Sequence, residues 1–131
     1  MIISKCLIQI FVSDLDKSIG WYHDKLGMEL IKKSGEWKSA TLRLAGVDYD
    51  VCQPIPKWGS NWMKAKRNIG GLRGIFFYTE NINKTYQEFK SKGVKFLKPP
   101  FKTPWGEYKA HFVDPDGNEF SLISENAKCI S

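Results

Sequence analysis

Leu7-Ile-Gln-Ile-Phe-Val12 and Gly74-Ile-Phe-Phe-Tyr-Thr79 head two copies of one plan. Each is a short apolar run. A polar pair follows, Ser13-Asp14 or Glu80-Asn81, and then a helix-like stretch that closes at Gly27 or Gly93. The runs begin 67 residues apart (7 to 74) and the helix ends lie 66 apart (27 to 93), the mark of an internal repeat. Leu15, Ile19, Tyr22 and Leu26 form an apolar stripe at helical spacing, and Ile82, Tyr86 and Phe89 repeat it. Ser13, with Asp16 three residues on, is the expected cap of the first helix, and Asn81 that of the second. Gly27 and Gly93 stand where a left-handed C-terminal cap is wanted.

Strand signals follow each helix. In the first half they are Met28 to Lys33, Lys38 to Leu44 (across the Ser34-Gly35 turn) and Val47 to Gln53. In the second they are Val94 to Leu97, Lys109 to Val113 and Glu119 to Ser124, with Pro99-Pro100 read as an interruption. Asp114-Pro-Asp-Gly117 is a strong turn signal whose counterpart is Leu44-Ala-Gly46; Gly46 to Gly117 gives an offset of 71. Each half therefore reads β-α-β-β-β. The fold class is α+β, two tandem βαβββ modules in a single domain over 1–131. Module one covers 1–53, a long joining loop rich in proline and glycine covers 54–71, module two covers 72–125, and a tail covers 126–131.

Composition narrows the function classes. With 131 residues, 42% hydrophobic and 14% aromatic, the chain can bury one substantial core. It holds no apolar run of about eighteen residues, so a spanning helix is not expected. The apolar stretch near the N-terminus lacks an A-x-A-like cleavage site and is read as a first strand, not a signal peptide. Cys6, Cys52 and Cys129 are odd in number and far apart, which points to a reducing compartment, the cytoplasm, and not to a disulfide framework. The net charge of +6 comes mostly from dispersed lysines, the only arginines being Arg43, Arg67 and Arg73. That balance argues for a solvated basic surface and against nucleic acid as a partner.

Two stretches carry a family resemblance. Phe11-Val-Ser-Asp-Leu-Asp-Lys-Ser-Ile-Gly-Trp-Tyr-His-Asp-Lys-Leu-Gly-Met-Glu-Leu30 resembles the first-module signature of the vicinal oxygen chelate superfamily, which includes glyoxalase I, bleomycin- and fosfomycin-resistance proteins and extradiol dioxygenases. Lys102 to Ser124, with its Asp114-Pro-Asp-Gly117 turn, is similar to the second-module ending. The resemblance implies strands that curl into a mixed sheet around a cavity. It also implies a homodimer in most members.

In metal-using members four ligands, typically His, Glu or Gln, stand near the start and end of each module. Carried over, those positions fall on Leu7, Asp50, Gly74 and Ser121. Leucine and glycine offer no donor and a serine hydroxyl is a weak one, so neither a metal nor another cofactor is expected. Of the two histidines, His23 reads as a solvated helix residue. The 71-residue offset pairs His111 with Ala40, a parity that turns it toward the helices. No other catalytic template is present, although Asp48 or Asp50 offers a base and Cys52 a nucleophile.

Strand alternation sets Leu7, Gln9 and Phe11 on one face, with Gly74, Phe76 and Tyr78 equivalent to them. The offset of 71 also matches Trp37 with Tyr108, while Trp58, Trp62 and Trp105 are placed to close over the opening. Gln9, Trp37, Asp50, Trp58, Trp62, Phe76, Tyr78, Trp105, Tyr108 and Ser121 are thus the candidate ligand-binding residues. An aromatic lining with a few polar groups suits a small, partly aromatic organic molecule. The expectation is a metal-free binding protein akin to the drug-sequestering resistance proteins. The alternatives are a lyase or isomerase with a divergent site using Asp50, and a basic nucleic-acid or regulatory module.

Overall fold

In a computed structural model the described residues are 2–125; Cys129 and the expected tail, 126–131, lie outside them. The chain forms two compact units, Met1–Gly71 and Leu72–Ser131. The first contains β1 (Leu7–Phe11), α1 (Leu15–Leu26), β2 (Glu29–Ser34), β3 (Ser39–Leu44), β4 (Val47–Cys52), a 3-10 turn (Pro56–Asn61) and α2 (Trp62–Arg67). The second contains β5 (Ile75–Tyr78), α3 (Ile82–Ser91), β6 (Lys95–Lys102), β7 (Tyr108–Val113) and β8 (Glu119–Ser124). The sheets run β1-β4-β3-β2 and β5-β8-β7-β6, with the first pair parallel and the others antiparallel in each. This is the predicted βαβββ plan, written twice.

In the first unit strand alternation sets an apolar face against the helix. Ile10, Leu42 and Val51 are buried, with Leu15, Tyr22 and Leu26 of α1 in the same core. Asp14, not Ser13, caps α1: its carboxylate accepts from the Lys17 N–H at 3.1 Å. Ser13 lies one residue too far from the first helical residue, and Asp16 pairs with Lys33 instead. Gly27 ends the helix at φ +76, where its N–H reaches the His23 and Tyr22 carbonyls. The second helix follows its prediction, with the Asn81 side chain accepting from the Lys84 N–H.

Two expectations need correcting. The joining segment is not a long loop. Pro56, with its fixed φ, opens the 3-10 turn, and Trp62–Arg67 is built largely of good helix formers. Pro99 and Pro100 do not interrupt a strand but lie inside β6, where the register with β7 slips between Lys98 and Phe101. Such slips accommodate residues that cannot donate to the ladder.

Between equivalent cross-strand pairs the two hairpins differ by one residue, four from Arg43 to Asp48 and five from Val113 to Glu119, and that shifts the repeat. Ala45 (φ +51) and Gly46 (φ +78) make a two-residue connection whose left-handed geometry suits strand twist. Its counterpart between β7 and β8 spans 114–118. Arg43 faces Asp48, whereas Val113 faces Glu119, so the step is 70 residues before the turn (43 to 113) and 71 after it (48 to 119). His111 therefore matches Thr41 rather than Ala40, and Tyr108 is not the partner of Trp37. A one-residue slip exchanges the faces of a strand.

The second core is a phenylalanine cluster. Phe112 is fully buried, with its ring 5.5 Å from those of Phe96 and Phe120 and 5.6 Å from that of Phe89. Removing it leaves a cavity ringed by flat side chains that cannot collapse onto one another. Phe112→Ala is expected to lose ~3–5 kcal/mol of unfolding free energy in a urea titration, a large share of a domain's net stability.

Asp48 anchors the other sheet electrostatically. Arg43 donates to its carboxylate from Nε at 2.6 Å and from Nη2 at 3.2 Å, and the Lys5 ammonium lies 3.1 Å away. These bonds, Arg43 first, hold the carboxyl down at about 2. Its contribution is therefore present above the ordinary value of ~3.9 and is lost as pH falls through about 2. The melting-temperature gap between wild type and Asp48→Asn should be full near about pH 6 and vanish toward pH ~2.

Candidate functional site

The sheet face turned away from the helix carries half of the candidate residues, Gln9 and Asp50 in the first unit and Phe76, Tyr78 and Ser121 in the second. In the first unit cross-strand register sets them in rows: Leu7, Asp48 and Arg43; Gln9, Asp50 and Thr41; Phe11, Cys52 and Ser39. In the second the equivalent rows are Phe76, Ser121 and His111, then Tyr78, Ile123 and Lys109. Gln9, Phe76 and Tyr78 are exposed on these faces and Asp50 is half-buried. Tyr108 shares its side of β7 with Ala110 and Phe112, so it belongs to the core and not to this face.

α2 and the 3-10 turn before it build a wall against the edge strand β1. Between them lies a cavity of about 450 Å³, lined by Gln9 and Phe11 from the sheet and by Trp58, Asn61, Lys64, Ala65 and Asn68 from the joining segment. Trp58 is held in place. Its indole N–H donates to the Trp37 carbonyl at 2.8 Å, and its ring lies 6.3 Å from that of Phe11. Trp37 itself is not on a strand. It sits in the β2–β3 turn, nearly half exposed, with the Lys57 ammonium 4.7 Å over its ring. Trp37 thus positions Trp58 and does not line the cavity. Trp62 is also absent from the lining, and Lys66 lies 5.2 Å over its ring.

Asn61 and Asn68 were not singled out from the sequence, because a segment read as loop assigns no wall. The available signal was Pro56 followed by a run of helix formers ending at Asn68, whose amide donates to the Lys64 carbonyl at 2.9 Å.

A second cavity of about 320 Å³ lies on the same sheet and includes Leu7, Lys32, Ser39, Thr41 and Asp50 in its lining. The Asp50 carboxylate has no ion-pair partner among the described residues. Cys52 is no nucleophile here. Burial, then the neighbouring Asp50 charge, pushes its thiol up to about 12, so it stays protonated near neutrality. Its Sγ–H donates to the Asp50 carbonyl, and the sulfur accepts from Gln9 Nε2 at 3.7 Å.

On the open face of the second unit His111 lies beside Ser121, Nδ1 to Oγ 2.7 Å, and 5.6 Å from the Phe101 ring. This corrects the expectation that it faces the helix. Lys109 stands 4.9 Å over Phe76 and 5.3 Å over Trp105, whose indole N–H donates to Glu107. Trp105 and Tyr78 are largely exposed. His23 is exposed, with its Nδ1–H on the Met28 carbonyl at 2.9 Å.

The residues at the metal positions do not fit an ion. Leu7 has only hydrocarbon to offer and Gly74 no side chain. Gly74 also has φ +85, a conformation in which any L side chain is strained. The Ser121 hydroxyl is engaged with His111. Among the described residues, no group of three or more His, Cys, Asp or Glu side chains is placed to hold a metal ion.

Comparison with known proteins identifies the family to which this fold belongs. A probable lactoylglutathione lyase of Synechocystis sp. is 34% identical over 125 residues, 91% of this chain and 93% of that protein. A superfamily member from Sphaerobacter thermophilus superposes with a TM-score of 0.77 at 33% identity, covering 95% of this chain and 99% of that one. TnmS3, an antibiotic binding protein from Streptomyces sp. CB03234, superposes with a TM-score of 0.73 at 26% identity, covering 96% of this chain and 99% of that one. Residues 6–122 match the Glyoxalase/Bleomycin resistance protein/Dioxygenase superfamily, and the chain belongs to it.

Proposed function

We propose that this chain is a metal-independent binding protein for a small, partly aromatic organic molecule. The observation that carries the reading is the cavity of about 450 Å³, which combines two aromatic rings, three side-chain amides and an ammonium without a catalytic pair or a metal donor set. A volume of this order holds a compact organic molecule, and rings with a few polar groups give it stacking and orientation. Gln9 and Trp58 act there directly and Trp37 supports Trp58. Phe76, Tyr78 and Trp105 offer a second ligand-facing surface, beneath which Ser121 is buried against His111, and Asp50 lies in the smaller cavity. The antibiotic-binding relative supports this class of function. The protein works as a single-domain homodimer in the cytoplasm.

One observation favours a second reading. Asp50 offers a half-buried carboxylate without an ion-pair partner among the described residues, inside a cavity, and one relative is named a probable lyase. A lyase or isomerase using Asp50 as general base would need no metal donors from Leu7 or Gly74.

Two experiments separate these. In a thermal-shift screen of flat aromatic natural products and antibiotics, the binding reading predicts ligands that raise the melting temperature progressively with the logarithm of their concentration, with Trp58→Ala weakening them roughly tenfold. A screen without such ligands contradicts it. Metal analysis and a lactoylglutathione lyase assay on dialysed protein should give substoichiometric metal and no turnover. Turnover abolished by Asp50→Asn establishes the second reading instead, and stoichiometric Zn, Ni, Mn or Fe contradicts both.

A further inference from the structure

We infer that the larger cavity of the first unit selects an aromatic acid carrying a second, hydrogen-bond-donating group on its ring. The inference rests on the binding reading above and names the chemical class of its ligand.

Charge makes the first cut. The lining contains no carboxylate, and its only charged side chain is Lys64. Four lysines of this unit are engaged, Lys57 with Glu36 at 2.7 Å, Lys33 with Asp16, Lys5 with Asp48 and Lys66 over Trp62, and among the lysines without such partners Lys64 is the one that lines this cavity. The Lys64 ammonium has no ion-pair or ring partner among the described residues. A cationic ligand would find no counter-charge here, whereas an anionic one finds an unpaired ammonium and the attraction of a chain with net charge +6.

Hydrogen bonding makes the second. The Trp58 N–H is committed to the Trp37 carbonyl, so Trp58 presents only its ring face. One N–H of the Gln9 amide goes to the Cys52 sulfur at 3.7 Å, and the thiol's own proton goes to the Asp50 carbonyl. That chain fixes the Gln9 amide with its carbonyl oxygen free to accept. A bound ring therefore meets a cation at the helical wall and an acceptor on the sheet floor. An arenecarboxylate with a phenolic hydroxyl matches both, with its ring against Phe11 and Trp58.

The test is isothermal titration of the full chain with 6-hydroxy-2-naphthoate, its neutral carboxamide and the corresponding aminomethyl cation. The acid should bind roughly tenfold or more tighter than the amide, and the cation weakest of all. That gap should close in Lys64→Gln and narrow between about 50 and 500 mM salt, as befits an exposed charge. Lys64 is exposed, so the variant's melting temperature should match wild type. Equal binding of acid and amide, or a gap that survives Lys64→Gln, overturns the charge assignment while leaving aromatic binding intact. If none of the three binds, this inference fails; the wider reading fails with it only if the thermal-shift panel is silent too.

Discussion

A single helix covers only one face of a four-stranded sheet, and the protein is organised around that constraint. In each unit the helix takes one face for the core, so alternation sends every second residue of each strand to the other side. The covered faces are apolar, from Ile10, Leu42 and Val51 to the Phe112 cluster. The opposite faces carry the chemistry: Gln9, Asp50 and Thr41 in one row, Phe76, Ser121 and His111 in its counterpart. Among the described residues only the first unit adds a wall of its own, and its larger cavity forms where that wall meets β1.

The same rows explain why metal chemistry does not suit this chain. An ion held by this family needs donors converging from separate strands. Here Leu7 and Gly74 supply none, the Ser121 hydroxyl is engaged with His111, and Asp50 remains by itself. Gly74 makes the difference deeper than a missing side chain. Its backbone lies in the left-handed region, so a histidine placed there would have to reshape the entry to β5 before it could reach an ion. The polar side chains that line the larger cavity are amides and an ammonium, suited to binding and orienting a ligand.

Much of the fold was legible in the sequence because its signals are local. Apolar stripes at helical spacing, Asn81 and Gly27 as caps, and the Asp114-Pro-Asp-Gly117 turn each act within a few residues. The site was legible only in part, because facing depends on counting. One additional residue in the 114–118 turn moved His111 onto the open face and Tyr108 into the core. The joining segment was hidden for a different reason. Its helix is six residues long and has no apolar stripe, and its place against β1 is set by tertiary contacts such as Trp58 on Phe11. Asn61 and Asn68 became visible only with that wall in place.

Metal-independent ligand binding, as proposed for this chain, would take place in the cavity between β1 and the joining segment. Backbone amide chemical-shift mapping with an aromatic ligand in the presence of a strong chelator tests it most directly. Shifts should concentrate at Gln9, Phe11 and residues 58–68 and remain unchanged by the chelator. Binding that disappears with the chelator, or shifts that avoid β1 and the joining segment, would contradict it.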